Sequence, residues 1–327
     1  MGTAALPAGR VAPAVTTATA VPLTRDELEG DEALETLRDT GRRKLVLDSI
    51  DRFRAADAFS HSRALAFQLT LTLLPALIAV VGLAAALEVE SFTRAVRGAV
   101  DILAPGAAGD LLTAALQQGS RGAREESGEL ALSAGFVAAL FAGMGAMSQV
   151  ERGANRLYGV ERDRPFVRKY LVATGLALTA GVLALSSIVV LVAGSAVSDA
   201  LGAGEGFDAV WSIARWPLGL VFVLASVSLL FEYAPKRKQP EPSWLAFGAV
   251  VAAGLWIGFM GLLALYIDAT ANFGATYGPL AGTIGVLLWS FLSSVALFGG
   301  LAVAAQLEAV RAGVTATRVD RDENLSP

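Results

Sequence analysis

The stretch Ser243-Trp-Leu-Ala-Phe-Gly-Ala-Val-Val-Ala-Ala-Gly-Leu-Trp-Ile-Gly-Phe-Met-Gly-Leu-Leu-Ala-Leu-Tyr-Ile267, taken with Leu280-Ala-Gly-Thr-Ile-Gly-Val-Leu-Leu-Trp-Ser-Phe-Leu-Ser-Ser-Val-Ala-Leu-Phe-Gly-Gly-Leu-Ala-Val-Ala-Ala305, decides the fold. Neither run contains a charged residue. A helix rises about 1.5 Å per residue, so ~20 apolar residues cross a hydrocarbon core about 30 Å thick. Each run is long enough to span. Between them lies Asp268-Ala-Thr-Ala-Asn-Phe-Gly-Ala-Thr-Tyr-Gly-Pro279, a connector with one charge and with the Gly, Asn and Pro of a tight return. The two runs therefore read as a helical membrane hairpin, and the rest of the chain as helices packed around it.

Composition agrees. Apolar residues make up 54% of the 327 positions and charged residues only 17%, where a soluble chain carries about 25% charged. With no cysteine, disulfides and thiol chemistry are excluded; the single histidine, His61, excludes a multi-histidine metal site. Met1 to Val21 lacks the apolar core of a secretory signal, so targeting is expected from the first membrane helix.

Four further apolar segments complete an all-α, polytopic bundle with six spans, at about 64–87, 130–150, 170–198, 211–233, 243–267 and 280–305. Ahead of them, residues 1–41 read as a flexible acidic cytoplasmic tail with a short helix near Leu28 to Leu37. Lys44 to Ser60 carries Val46, Ile50, Phe53 and Ala56 at helical spacing, with Arg52 and Arg54 largely elsewhere around the helix. It reads as an amphipathic helix in the headgroup region whose arginines are solvated or touch lipid phosphate. The segment 89–128 is too long to lack structure. Its stripes (Phe92, Val96, Val100, Leu103, then Leu111, Leu112, Ala115, Leu116 after Pro105-Gly106) predict two short external helices. The membrane domain is taken as 42–311, followed by a cytoplasmic tail, 312–327.

Basic residues set the orientation. They gather ahead of span one, in the loop after span two (Arg152, Arg156, Arg162, Arg164, Arg168, Lys169), in the loop after span four (Lys236, Arg237, Lys238) and in the tail. The loops after spans three and five have none. Both termini are thereby placed in the cytoplasm and the chain in a bacterial plasma (inner) membrane.

Polar residues within the spans are few. Gln68 and Thr72 stand one turn apart, and Pro75 removes a backbone bond just beyond them. Together they either open a polar cavity for a solute headgroup or form interhelical hydrogen bonds beside a packing kink. Asn272, Tyr277 and Gly278 mark the outer return of the same candidate pathway. Asn155, Arg156 and Tyr158 are candidates for a cytoplasmic gate or lipid-headgroup contact. Gly254-x-x-x-Gly258 with Gly261, and Gly278-x-x-x-Gly282 with Gly285, read as ridges for close helix packing. No phosphate-binding glycine loop, H-E-x-x-H sequence or carboxylate pair within a span is present. The sequence therefore calls for no cofactor, no metal, no catalytic residue and no nucleic-acid partner.

Four stretches in order carry a family resemblance. They are Ser62-Arg-Ala-Leu-Ala-Phe-Gln-Leu-Thr-Leu-Thr-Leu-Leu-Pro75, Ala154-Asn-Arg-Leu-Tyr-Gly159, Tyr233-Ala-Pro235 and Ala275-Thr-Tyr-Gly-Pro-Leu-Ala-Gly-Thr-Ile-Gly-Val-Leu-Leu-Trp289. Over about residues 44–311 the chain resembles the YihY/virulence factor BrkB family of bacterial inner-membrane proteins, which implies six membrane helices. Where that family often has Gly-Ala-Glu late in span six, this chain has Gly300-Leu-Ala302, so no role of that glutamate transfers. The ribonuclease label once given to some members finds no acid–base pair or metal cluster here. The expected function is transport or flipping of an amphiphilic, lipid-like solute among membrane lipids. A non-transporting envelope scaffold is the alternative, and ribonuclease a distant third.

Overall fold

The computed structural model describes residues 18–24, 28, 30–86, 109–111, 113–114, 117, 128–192, 205–269, 280–314 and 316–319. Their regular elements are helices: α1 (Gly30–Thr40), α2 (Arg42–Ala55), α3 (Ala58–Ala86), α4 (Gly128–Leu157), α5 (Phe166–Val192), α6 (Glu205–Tyr233), α7 (Pro242–Ala269) and α8 (Ala281–Arg311). Among the described residues the only extended pairing is one isolated antiparallel bridge, Ala18 to Arg318. The external segment expected over 89–128 lies mostly outside the described residues, as do Asn272, Tyr277 and Gly278.

The short helices are punctuated by local chemistry. Helix α1 opens on Asp31 and Glu32 and closes on Arg38, charges that suit the two ends of the helix dipole. Gly41, at φ 81°, turns the chain into α2, and Asp57, at φ 51°, turns it again into α3. The long helices are apolar nearly all round, as lipid-embedded helices are. Four are long and apolar enough to cross a membrane: Phe166–Ser187, Ala209–Tyr233, Pro242–Ile267 and Ala281–Arg311. Large apolar side chains cover their outer faces, among them Leu171, Ile213, Ile257 and Leu265. In water such a surface would be a liability; against acyl chains it costs nothing.

The six long helices form a closed ring. Each packs on its neighbour in sequence from α3 to α8, and α8 returns to pack on α3. Small hydroxyl residues stitch the ring: Thr70 Oγ1 to Ser290 Oγ (3.3 Å) joins α3 to α8, Trp256 Nε1 to Ser293 Oγ (3.0 Å) joins α7 to α8, and Ser226 Oγ to the Ala180 carbonyl (2.9 Å) joins α6 to α5. Helices α7 and α8 approach backbone to backbone at one point. A β-carbon on Gly300 would lie 2.5 Å from the Gly248 carbonyl oxygen and 2.8 Å from the Ala252 nitrogen. The expected ridge of Gly254, Gly258 and Gly261 plays no part in that contact, since nothing lies within 4 Å of where their β-carbons would stand. The ridge faces outward because α7 meets α8 through the side bearing Gly248 and Ala252.

Two expectations about the N-terminal region change. Residues 18–24 form a strap laid across one end of the ring, with Ala18 and Val21 buried, and α1 packs on α7 and α8. The described part of the expected flexible tail is thus docked onto the body, because Leu28 and Ala33 find apolar partners there. In α2 the expected solvated arginine Arg52 is fully buried, while Val46, Leu47 and Ile50 are exposed. Helix α2 lies on α8 with Leu45, Ser49, Arg52 and Phe53 turned inward, so Arg52 is enclosed within a mixed face while Val46, Leu47 and Ile50 stay outside.

Candidate functional site

At one end of the ring the strap, α2, the ends of α4 and α8, and the loop between α6 and α7 converge on a buried polar clasp. Backbone bonds bring the pieces together: Thr19 N–H donates to the Thr317 carbonyl and Val21 N–H to the Tyr158 carbonyl, both at 3.1 Å. Gly159 makes room. It sits at φ 70°, and a β-carbon there would come within 2.5 Å of Ala20 Cα. Residues 18–24, residues 316–319 and the two basic loops therefore share one end of the bundle.

Arg52 is the clasp's centre. Its Nε donates to Gln306 Oε1 at 2.7 Å, and its Nη1 donates to the carbonyls of Thr19 (2.9 Å) and Leu157 (3.1 Å). All three acceptors are neutral, and Nη2 has no partner. Burial, partly offset by Tyr158 and Glu308, lowers the Arg52 pKa to about 10, so the group is charged at neutral pH. Alongside, Arg237 lies over the Tyr158 ring, 4.5 Å from its centroid, and its Nη2 pairs with Glu308 Oε1 and donates to the Pro22 carbonyl (3.2 Å). Glu308 Oε1 also accepts from Thr24 Oγ1 at 3.4 Å. Burial is the main force that pushes the Tyr158 phenol well above its ordinary value, and nearby Glu308 adds to it. Besides Arg52 Nη2, four more buried atoms of these side chains lack a partner: Arg237 Nη1, Tyr158 Oη, Gln306 Nε2 and Glu308 Oε2, as does Thr19 Oγ1 of the strap.

A second network lies on the other side of Tyr158, centred on Asp163. Its carboxylate takes a hydrogen bond from Asn155 Nδ2 (2.9 Å) and ion pairs from Lys169 (3.2 Å), Arg152 (3.4 Å) and Arg156 (3.8 Å). Partial burial works against the charged carboxylate, but the Asn155 bond and the two neighbouring cations win and hold its pKa below the ordinary 3.8. Arg164 pairs with Glu151 at 3.2 Å and reaches the carbonyls of Tyr233, Ala234 and Pro235, the exposed acceptors at the end of α6. Asn155 Oδ1 accepts from the Lys236 N–H at 2.7 Å. The loop is thus a lock between α4, α5 and α6.

A pH dependence follows from Asp163. A depressed carboxyl pKa contributes stability above the unfolded value and loses it as pH falls through the folded one. Asp163→Asn is therefore expected to cost about 1 kcal/mol at neutral pH, a figure discounted for partial solvent screening. The difference from the parent should begin to shrink near pH 3.8 and vanish only below the lower pKa of the folded state. Thermal melting of both proteins across that range is the check.

The residues singled out from sequence fall in different places. Asn155 and Arg156 fall in the Asp163 network and Tyr158 in the clasp, but all three are buried, and their contacts are with protein groups. Gln68, Thr72 and Pro75 lie on α3, half-buried, against the small residues of α4. Gln68 Oε1 would stand 2.8 Å from a β-carbon on Gly145, and Thr72 Oγ1 donates to the Gln68 carbonyl at 2.7 Å. His61 is hydrogen-bonded with Gln149 at 3.1 Å. Sequence reading missed Arg52, Asp163, Arg237, Gln306 and Glu308. The signal available was an amide and an acid, Gln306 and Glu308, closing an otherwise apolar helix. Among the described residues no group of three or more potential metal ligands occurs.

A family model described as virulence factor BrkB matches residues 49–324. The chain belongs to that family. It is 30% identical over 253 residues to the ribonuclease-like protein YfkH of Bacillus subtilis (strain 168), covering 76% of this chain and 90% of that one. It is also similar to two members described only as UPF0761 membrane proteins. One is Mpe_A1422 of Methylibium petroleiphilum, 27% identical over 171 residues, 52% of this chain and 40% of that one. The other is IL2447 of Idiomarina loihiensis, 28% identical over 138 residues, 42% of this chain and 43% of that one. These alignments span less than half of either UPF0761 protein. No solved structure shows significant similarity. The BrkB match and the apolar helices make this a membrane protein.

Proposed function

We propose that this BrkB-family chain spans a bacterial plasma membrane six times, with both termini in the cytoplasm, and moves or flips an amphiphilic, lipid-like solute. The observation that carries the reading is the closed ring of six long helices, greasy outside and closed at one end by a charged clasp. In this reading the clasp end faces the cytoplasm, because the loops rich in arginine and lysine lie there. Helix α2 rests in the headgroup layer through Val46, Leu47 and Ile50. The pathway runs along α3 past Gln68 and Thr72, where Pro75 frees a backbone carbonyl. No chemical step is part of the reading, nor is nucleic acid a partner; the ribonuclease-like wording is that of the relative YfkH.

The outward stripe of Gly254, Gly258 and Gly261 favours a second reading, a scaffold that holds another membrane helix. Proteoliposomes separate the two. Translocation of a fluorescent phospholipid, measured by quenching of the outer leaflet, should exceed that of empty vesicles and fall at least several-fold in the Gln68→Ala/Thr72→Ala double variant. Equal rates in all three preparations would favour the scaffold. Orientation has its own check, because the chain has no native cysteine to remove. In intact spheroplasts an impermeant maleimide should label Glu205→Cys and leave Glu161→Cys untouched.

A further inference from the structure

The clasp carries one more positive charge than its own groups neutralise. Two guanidinium groups, Arg52 and Arg237, face a single carboxylate, Glu308. The side chain of Glu308 is fully buried, that of Arg237 is 5% exposed, and Arg52 is fully buried. The ionisable groups that act on Arg52 are Tyr158, Glu308 and Arg237. Glu308 is already engaged with Arg237, and Arg52 meets only neutral acceptors. A guanidinium does not shed its proton in a protein, so the surplus charge persists. A buried water would satisfy a hydrogen bond but would leave that charge uncompensated. The atoms without partners have the same bias. Arg52 Nη2, Arg237 Nη1 and Gln306 Nε2 can only donate and Glu308 Oε2 can only accept, while the Tyr158 and Thr19 hydroxyls can do either and Gln239 has one atom of each kind.

We propose that Arg52 and Arg237, assisted by the Gln306 amide, form a binding site for a phosphate-type oxyanion beneath the strap of residues 18–24. A guanidinium offers paired N–H donors at the spacing of two phosphate oxygens, which a chloride ion cannot use. The strap closes the site from outside, since its Thr19 and Pro22 carbonyls touch both arginines. Glu308 occupies part of Arg237 and so sets the affinity, by competing with the incoming anion for the same donors. The oxyanion is either free phosphate or the headgroup of an anionic phospholipid, and the chemistry of recognition is shared. The site stands whether the chain transports or scaffolds.

The test uses the full-length protein purified in detergent and phosphate-free buffer, with thermal melting as the readout. Sodium phosphate should raise the melting temperature above that in sodium chloride of equal ionic strength. Arg52→Gln should abolish the rise. Glu308→Gln should lower the half-saturating phosphate concentration about tenfold, because the competing charge is gone. Dihexanoyl phosphatidic acid, tested beside inorganic phosphate, separates the sources: saturation by both probes at similar concentration means a free anion suffices, and a response to the lipid alone assigns the site to a headgroup. Identical melting in phosphate, phosphatidic acid and chloride, for both the parent and Glu308→Gln, would overturn the proposal. A phosphate response undiminished in Arg52→Gln would do the same. If Arg52→Gln does not fold, the sign of the Glu308→Gln change decides alone, tighter binding supporting the site and unchanged or weaker binding refuting it.

Discussion

Gly300→Leu is expected to yield a protein whose last two helices no longer pack. The obstacle is main chain, so side-chain rearrangement gives no escape: the new β-carbon would meet the Gly248 oxygen at 2.5 Å, Ala252 Cβ at 2.6 Å and the Ala252 nitrogen at 2.8 Å. Extra methylenes in a packed interior cost about 1–3 kcal/mol even where side chains can move. Here α7 must shift bodily from α8, and that shift would carry away Trp256 from Ser293 and loosen Arg237 from Glu308. We expect a loss above about 3 kcal/mol, seen as poor yield and early melting in detergent. Gly254→Leu is the matched control, on the same hairpin but facing open space. Its melting should stay within about 0.5 kcal/mol of the parent. Indistinguishable behaviour of the two variants would refute the close-approach account.

Glu308→Ala should be comparably severe, for an electrostatic reason. Removing one member of a buried ion pair strands the other, and such losses run to roughly 3–5 kcal/mol. In this clasp the stranded group is Arg237, beside an Arg52 already short of a counter-charge. The surface pair Arg311–Glu32, 2.9 Å apart, supplies the contrast. Its side chains are 38% and 31% exposed, and Glu32→Ala should cost below about 1 kcal/mol. Denaturant unfolding of both variants at one ionic strength compares them directly. If Glu308→Ala were as mild as Glu32→Ala, the clasp would be decorative.

The helices were legible from sequence because an uncharged run of twenty or more residues has few other meanings. The hairpin at Ser243–Ile267 and Leu280–Ala305 corresponds to α7 and α8, although α8 continues through Gln306 and Glu308 to Arg311. That continuation was the costly omission. A glutamate just past an apolar run reads as the solvated end of a span, and only the folded arrangement of α2, the strap and Arg237 shows it to be enclosed. Arg52 was misplaced for a related reason. Helical periodicity groups residues into faces, but it does not reveal which face is turned inward, and the one that carries Arg52 also carries Leu45 and Phe53. Asp163 was hidden among neighbouring basic residues whose number suggested orientation signals, when Lys169, Arg156 and Arg152 also converge on it. The ridge of Gly254, Gly258 and Gly261 failed differently. Spacing identifies a smooth helix face, and Gly248 with Gly300, which lack that spacing, make the actual contact.

The bridge between Ala18 and Arg318 joins residues 300 positions apart in the chain. The strap has no complete resting place until α8 has been made, since Gln306 and Glu308 come from its final turns. Until that moment Arg52 lacks part of its cage and the strap lies open to proteases. Closing the clasp thus waits on α8, and a nascent chain cut short before that helix has no means of imitating it.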